Sequence, residues 1–291
     1  LNRRTMFLMN YFKASFARKK ARRIFREYGY RVDKFLIDDN KTVEFANWLN
    51  PLIRPKEITQ KEIDFFRKYI PEGSFAVDIG ANIGDLTVSM ALAAGASGLV
   101  IGMDPNPRVF KILQANAQLN LSGTNIVPLL GAAVEEEREF YFASSEASMS
   151  NGGLIEDIHS NYHGKFKLKE PVKGINLASY LNDHYAGWLP KLSLIKIDTE
   201  GLDYFILKTL AAILEKYHPT IIAEVYHRVT NQTRDDLFSL LKRYGYTILN
   251  IGEFDSDINF IPKPINSRED MPGKGITENI IAFIPTAAQQ G

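Results

Sequence analysis

The chain contains no cysteine, which excludes thiolate nucleophiles, disulfide frameworks and zinc sites with sulfur ligands. Long apolar runs are missing too: no stretch approaches the roughly 18 residues a membrane-spanning helix needs. Nor does one sign of charge prevail. Thirty-five Lys and Arg stand against 34 Asp and Glu, so no overall field argues for nucleic acid as a partner. Charges interrupt every apolar run near the N-terminus and no small-residue cleavage site follows, so a secretory leader is not expected. The lack of cysteine fits a reducing, cytoplasmic setting. What is present suits a protein with a full core: 45% hydrophobic and 24% charged residues over 291 positions, enough for one large domain or two small ones.

The balanced charge conceals an uneven start. Ten basic residues against the single acid Glu27 give residues 1–31 a charge of +9 and leave −8 on residues 32–291. Met6, Phe7, Leu8, Met9, Tyr11, Phe12, Phe16, Ile24 and Phe25 are interleaved with these cations. Two readings are open for residues 1–28. One is a solvated helix that packs its aromatic side on the main body, with Gly29 as its C-cap. The other is a basic amphipathic helix in peripheral contact with an anionic membrane or a protein partner. A short hairpin is expected over 30–50, completing an N-terminal extension of residues 1–58. Thr59 and Glu62 read as a capping box that opens a helix running to about Tyr69.

From there to 286 the pattern is regular. Apolar runs at Phe75–Ile79, Leu99–Met103, Ile126–Leu130, Leu192–Ile197, Thr220–Glu224, Tyr246–Ile251 and Asn279–Pro285 alternate with helical stretches. Those helices are expected near Ile83–Ala94, Pro107–Leu119, Leu202–Lys216 and Thr233–Tyr244. Strands alternating with crossover helices predict an α/β, mostly parallel sheet with helices on both faces. Residues 135–175 break the rhythm and read as an antiparallel excursion with a loop over the carboxyl ends of the strands. The closing AAQQG reads as a frayed tail.

The most informative stretch is Val77-Asp78-Ile79-Gly80-Ala81-Asn82-Ile83-Gly84, between the first strand and first helix of the alternating region. Glycines there let the backbone turn sharply beside a ligand. A pyrophosphate-binding loop would carry glycine where Asn82 stands, and Asp78 would repel a pyrophosphate. An acid facing a cationic amino-acid moiety is attractive instead, so the loop suits S-adenosylmethionine better than NAD. Asp104, about 20 residues on at the end of the next strand, is placed to accept ribose hydroxyls.

VDIGANIGDLTVSMALAAGASGLVIGMDPNPRVFKILQANAQLN, with IKIDTEGLDYFILKTL and PTIIAEV further on, resembles the FkbM-type methyltransferases. The resemblance implies a Rossmann-like class I methyltransferase fold, a seven-stranded sheet with its last strand antiparallel, and S-adenosylmethionine as donor. It matches Asp78, Gly80 and Gly84 to the donor loop, with Asn82 in the same loop, Asp104 to the ribose acid, and Ala132 and Ala133 to the adenine pocket. Simple packing is the competing reading for the two alanines, and a bare surface loop for Ser148–Asn151, which otherwise closes over the donor. Asp104 and Asp203 stand where relatives usually carry glutamate.

Methyl transfer needs alignment and removal of a proton from the acceptor. Asp198, Glu200, Glu224 and His227 gather at the ends of two strands as catalytic candidates. His227 or Asp198 is the expected base, and a cap on the following helix is the competing, favoured reading for Glu200. Together the four could also hold a divalent cation through oxygen and nitrogen ligands, as a further cofactor. The implied activity is O-methylation of a hydroxyl on a sugar, glycan or secondary metabolite, with N-methylation or an inactive donor-binding module as alternatives.

Overall fold

The computed structural model describes residues 3–253 and 260–285. Residues 1–2, 254–259 and 286–291, with the AAQQG tail, lie outside the described residues, as do the side chains of residues 3–5, 7, 8, 10 and 39.

Helix α1 (Arg3–Arg23) leads into the hairpin β1 (Tyr30–Leu36) and β2 (Thr42–Trp48), then α2 (Gln60–Arg67). The alternating region follows as β3 (Phe75–Ile79), α3 (Thr87–Ala94), β4 (Leu99–Asp104), α4 (Pro107–Ala117) and β5 (Ile126–Leu130). The excursion holds β6 (Ala132–Ala133), β7 (Glu139–Ser144), β8 (Gly153–Ile155), β9 (Phe166–Lys167) and β10 (Val172–Ile175). Helix α5 (Leu177–Tyr185) returns the chain to β11 (Leu192–Ile197), α6 (Asp203–Thr209), α7 (Ala211–Tyr217), β12 (Thr220–Val225) and α8 (Asn231–Arg243). Strands β13 (Thr247–Gly252), β14 (Lys263–Ile265) and β15 (Glu278–Phe283) close the described chain.

The main sheet runs in the order β14-β13-β15-β12-β11-β3-β4-β5. Strands β5, β4, β3, β11 and β12 are parallel, and β15 inserts antiparallel between β12 and β13. This is the Rossmann-like order of a class I methyltransferase, with its antiparallel last strand. An eighth strand, β14, extends the expected seven at the β13 edge. The parallel strands are apolar runs because both faces are covered. Val77, Ile101, Ile195 and Ile221 point to the side packed by α5 to α8. Ala76, Val100, Leu194 and Ile222 point to the side packed by α2, α3 and α4.

The hairpin joins that second core: Val43, Phe45, Ala46 and Trp48 are buried in it. Buried Asn116 of α4 ties the two together, accepting from Ala46 N at 2.6 Å while its amide group donates to Ala46 O and to Ile83 O of the donor loop. Asn120 does the same at Glu44, accepting from its N–H and donating to its carbonyl, each at 2.8 Å.

Four local expectations are corrected. Thr59 caps α2 by accepting from Glu62 N, but the Glu62 carboxylate turns to Lys56, at 2.8 and 2.7 Å, so only half of the box forms. The stretch 202–216 divides at buried Leu210 into α6 and α7, which lets both halves bury their leucines. Helix α1 ends at Arg23, so Gly29 does not cap it. Nor does α1 pack its aromatic side on the body, because Met6, Met9, Tyr11, Phe12 and Phe16 are exposed while Ala21 is buried.

Candidate functional site

The site lies at the carboxyl ends of β3, β4, β11 and β12, where adjacent strands leave in different directions. Gly80 and Gly84 both hold positive φ, +78° and +87°. A Cβ on Gly80 would fall on the Asp198 carbonyl, so glycine here lets the donor loop pass against the end of β11. Asn82 also takes a left-handed conformation (φ +49°) and leaves its side chain exposed at the loop tip.

Asp104 ends β4 beneath that loop. Its Oδ2 accepts from Asn82 N and its Oδ1 from Asn106 N, both at 2.8 Å. Burial pushes its carboxyl up to about 7, against the lowering effect of those two N–H donors. Each oxygen keeps acceptor capacity beyond the bond it makes. Asn106 caps α4 and donates its amide to Met149 O at 2.8 Å. Ser148 and Met149 are therefore buried against the site and are not a bare surface loop. Ala132 and Ala133 are buried in β6, paired with Gly174 and Ile175 of β10.

Asp78 meets a positive charge, and the protein itself supplies it. Fully buried on β3, Asp78 accepts from Thr87 Oγ1 at 2.6 Å and faces Lys196 Nζ at 3.1 Å, across the β3–β11 register. Lys196 also donates to Gly80 O at 3.3 Å and lies 3.6 Å from Asp198 Oδ2. Burial would lower the lysine's pKa, but Asp78, Asp198 and Asp85 outweigh it and hold the ammonium above its ordinary value. Sequence reasoning passed over Lys196. The signal was available as a lone charge inside the otherwise apolar, buried run Leu192–Ile197.

At the end of β11, Asp198 stays exposed, and Glu200 follows with φ +53°. Burial and then Asp198 raise the Glu200 carboxyl above its usual range. Buried Asp203 accepts from Thr199 Oγ1 and from Glu224 N, which anchors α6 to β12. Burial and then Asp198 bring Asp203 to about 7. Glu224, at the end of β12, is pushed up to about 8 by burial and by Asp198, Asp203 and Glu200. Its Oε2 is buried without a hydrogen-bond partner. A cavity of about 10 Å³, room for a single water at most, is lined by Glu224, Asp203, Gly201 and Arg234 among others.

The His227 ring is engaged at both nitrogens. Nδ1 lies 3.0 Å from Thr277 Oγ1, and Nε2 accepts from Arg228 Nε at 3.2 Å. Among the described residues no three His, Asp or Glu side chains gather closely enough to hold a metal ion. Asp198, Glu200, Glu224 and His227, the alternative cation ligands, are therefore not assembled as a ligand set.

The profile of the FkbM methyltransferase domain matches residues 78–248, more than half of the chain. The chain belongs to the FkbM methyltransferase family. Its members are S-adenosylmethionine-dependent methyltransferases, and the groups at this site fit that donor. Carboxylates at the ends of β4 and β11 suit hydroxyls and an ammonium, and the exposed Asn82 amide suits a carboxylate.

The FkbM methyltransferase from Methylobacillus flagellatus KT is similar, at 13% identity over 77% of this chain and 51% of that one, with a TM-score of 0.41. The O-methyltransferase of Bacillus cereus, in complex with S-adenosylhomocysteine (SAH), is similar at 12% identity, covering 80% and 85%, with a TM-score of 0.43. The precorrin-6y C5,15-methyltransferase of Geobacter metallireducens GS-15 shares 11% identity over 79% and 93%, with a TM-score of 0.41. No curated protein sequence matches the chain.

Proposed function

We propose that this FkbM-family enzyme methylates a hydroxyl group on a small molecule or glycan, with Glu224 as the general base. The observation that carries the reading is the Glu224 carboxyl, which has one buried oxygen without a partner and a pKa of about 8. An amine with a free lone pair needs no such group, whereas a hydroxyl is a poor nucleophile at neutral pH until its proton is taken.

S-adenosylmethionine supplies a methyl group already activated on a sulfonium. As the acceptor C–O bond forms and the C–S bond breaks, the hydroxyl proton passes to Glu224 and the bond's electron pair stays on sulfur. Asp104 orients the donor's ribose, and Asp198 adds negative charge where the donor is cationic. A net positive donor beside Asp198 and Glu224 favours the ionised form of Glu224, so the base is readied when the donor is in place.

A labelled-methyl transfer screen over glycans and hydroxylated metabolites finds the acceptor and tests the base. On a hydroxyl acceptor, Glu224→Gln is expected to lower kcat by about 10²–10⁴-fold, with donor affinity little changed. A variant as fast as the parent would remove Glu224 from the reaction.

A further inference from the structure

Helix α1 takes no part in the donor site, yet it carries the most unusual surface on the molecule. Met6, Met9, Phe12 and Phe16 recur at helical spacing along one stripe and are 56%, 45%, 66% and 70% exposed. The helix turns Ala21 into the protein, with Ser15, Ala17 and Arg18 half-buried. Its C-terminal end is held by Arg22, whose carbonyl accepts from Ala147 N at 3.1 Å and whose guanidinium pairs with Glu146 at 3.3 Å. Beyond that anchor the stripe stays exposed among the described residues, its one ring contact being Phe12 against neighbouring Tyr11 on the same helix.

The cations do not serve only the helix dipole. Lys20, Arg22 and Arg23 occupy the last turn, where a C-terminus favours positive charge, but Lys13, Arg18 and Lys19 lie earlier. Among the described residues, Arg22 alone of these six has a carboxylate partner. The nearby acid Glu27 is taken by Arg108 and Lys111 of α4.

The placement of the lysines decides between occupants. Lys13 follows Met9 by four residues and Lys20 follows Phe16 by four, so cations interrupt the stripe itself. A second protein copy packed on it would have to desolvate them. At a bilayer surface the same side chains extend to the headgroups while the rings between them sink into the acyl boundary. The charge of −8 on residues 32–291 is repelled by an anionic surface, so contact has to come through the arm.

We propose that α1 is an interfacial helix that holds this protein on anionic phospholipid surfaces. The test is co-sedimentation of the full chain with vesicles of phosphatidylcholine alone or mixed with phosphatidylserine, at low and at physiological salt. Binding to the mixed vesicles, weakening as salt rises, is expected. Replacing Lys13, Lys19 and Lys20 together by glutamine should weaken it about a hundredfold, at about fivefold per cation. Phe12→Ser with Phe16→Ser should weaken it by at least about tenfold. Unchanged donor affinity by calorimetry shows that these variants are folded. Equal binding to both vesicle types, no binding at low salt, or indifference to either variant overturns the proposal. A dimer in sedimentation velocity that the phenylalanine variant dissolves, without vesicle binding, gives the stripe to a second copy and overturns it too.

Discussion

Replacing Lys196 by methionine removes the cation around which β3 and β11 are electrostatically matched. The lysine's side chain is 7% exposed and its partner Asp78 is fully buried, 3.1 Å away. In Lys196→Met the Asp78 carboxylate keeps one bond, from Thr87 Oγ1 at 2.6 Å, and loses the cation that faced its other oxygen. Stripping one partner from a buried pair costs about 3–5 kcal/mol, because the remaining charge has neither water nor counter-ion. For 291 residues the unfolding entropy is about 0.6 kcal/mol per degree, so the melting temperature should drop by about 5–8 °C. Calorimetric melting at neutral pH reads the loss directly. Asp78→Asn combined with Lys196→Met should lie closer to the parent than Lys196→Met alone, as position 78 then carries no buried charge without its partner. A loss below about 1 kcal/mol for Lys196→Met, or strict additivity in the double variant, would refute the reasoning.

Three further outcomes follow from the same geometry. Asp104→Ala should weaken S-adenosylmethionine binding by about tenfold to a hundredfold in calorimetry, the worth of a charge-assisted hydrogen bond; undiminished affinity would place the ribose elsewhere. Glu62, Asp104 and Asp203 at about 7 and Glu224 at about 8 stand above their unfolded values near 4. Folded, they bind more protons than unfolded, so their contribution to stability is full below about pH 4 and is lost as pH climbs through 7 to 8. Urea unfolding across that range should show the decline, with Glu224→Gln flattening its upper end; a steady rise would contradict it. Gly80→Ala should cost about 3 kcal/mol or more, from a positive φ and a Cβ driven onto the Asp198 carbonyl. A melting temperature equal to the parent's would show that the loop can move aside.

Strand and helix identities were legible because the parallel sheet writes itself as apolar runs: Ile126–Leu130 and Leu192–Ile197 appear at their sequence-read limits. Edges were not. Lys263–Ile265 is a short segment between Pro262 and Asn266, with Pro264 at its centre, whose strand character comes only from its pairing with β13. At the site, the glycine turn and the two acids that end β4 and β11 could be read by spacing. Partnership could not. Nothing local told that Asp78 faces a lysine more than 100 positions away, or that Thr277, 50 positions on, lies against the His227 ring. Glu224 gains its distinction from what is absent around one oxygen, which no motif records.

The insertion of β15 between β12 and β13 has a consequence for how the molecule comes into being. Strand β13 cannot join the sheet by itself, because its route to β12 runs entirely through a strand that starts about 25 residues later in the chain. At synthesis rates of about 5–20 residues per second, two bare strand edges wait for seconds, each able to pair with a foreign chain. Most of the nucleus, from β3 to β12, can fold while that gap stands open. Strand β15 thus acts as a keystone: its arrival turns a five-stranded parallel sheet and the β13–β14 pair into one continuous sheet.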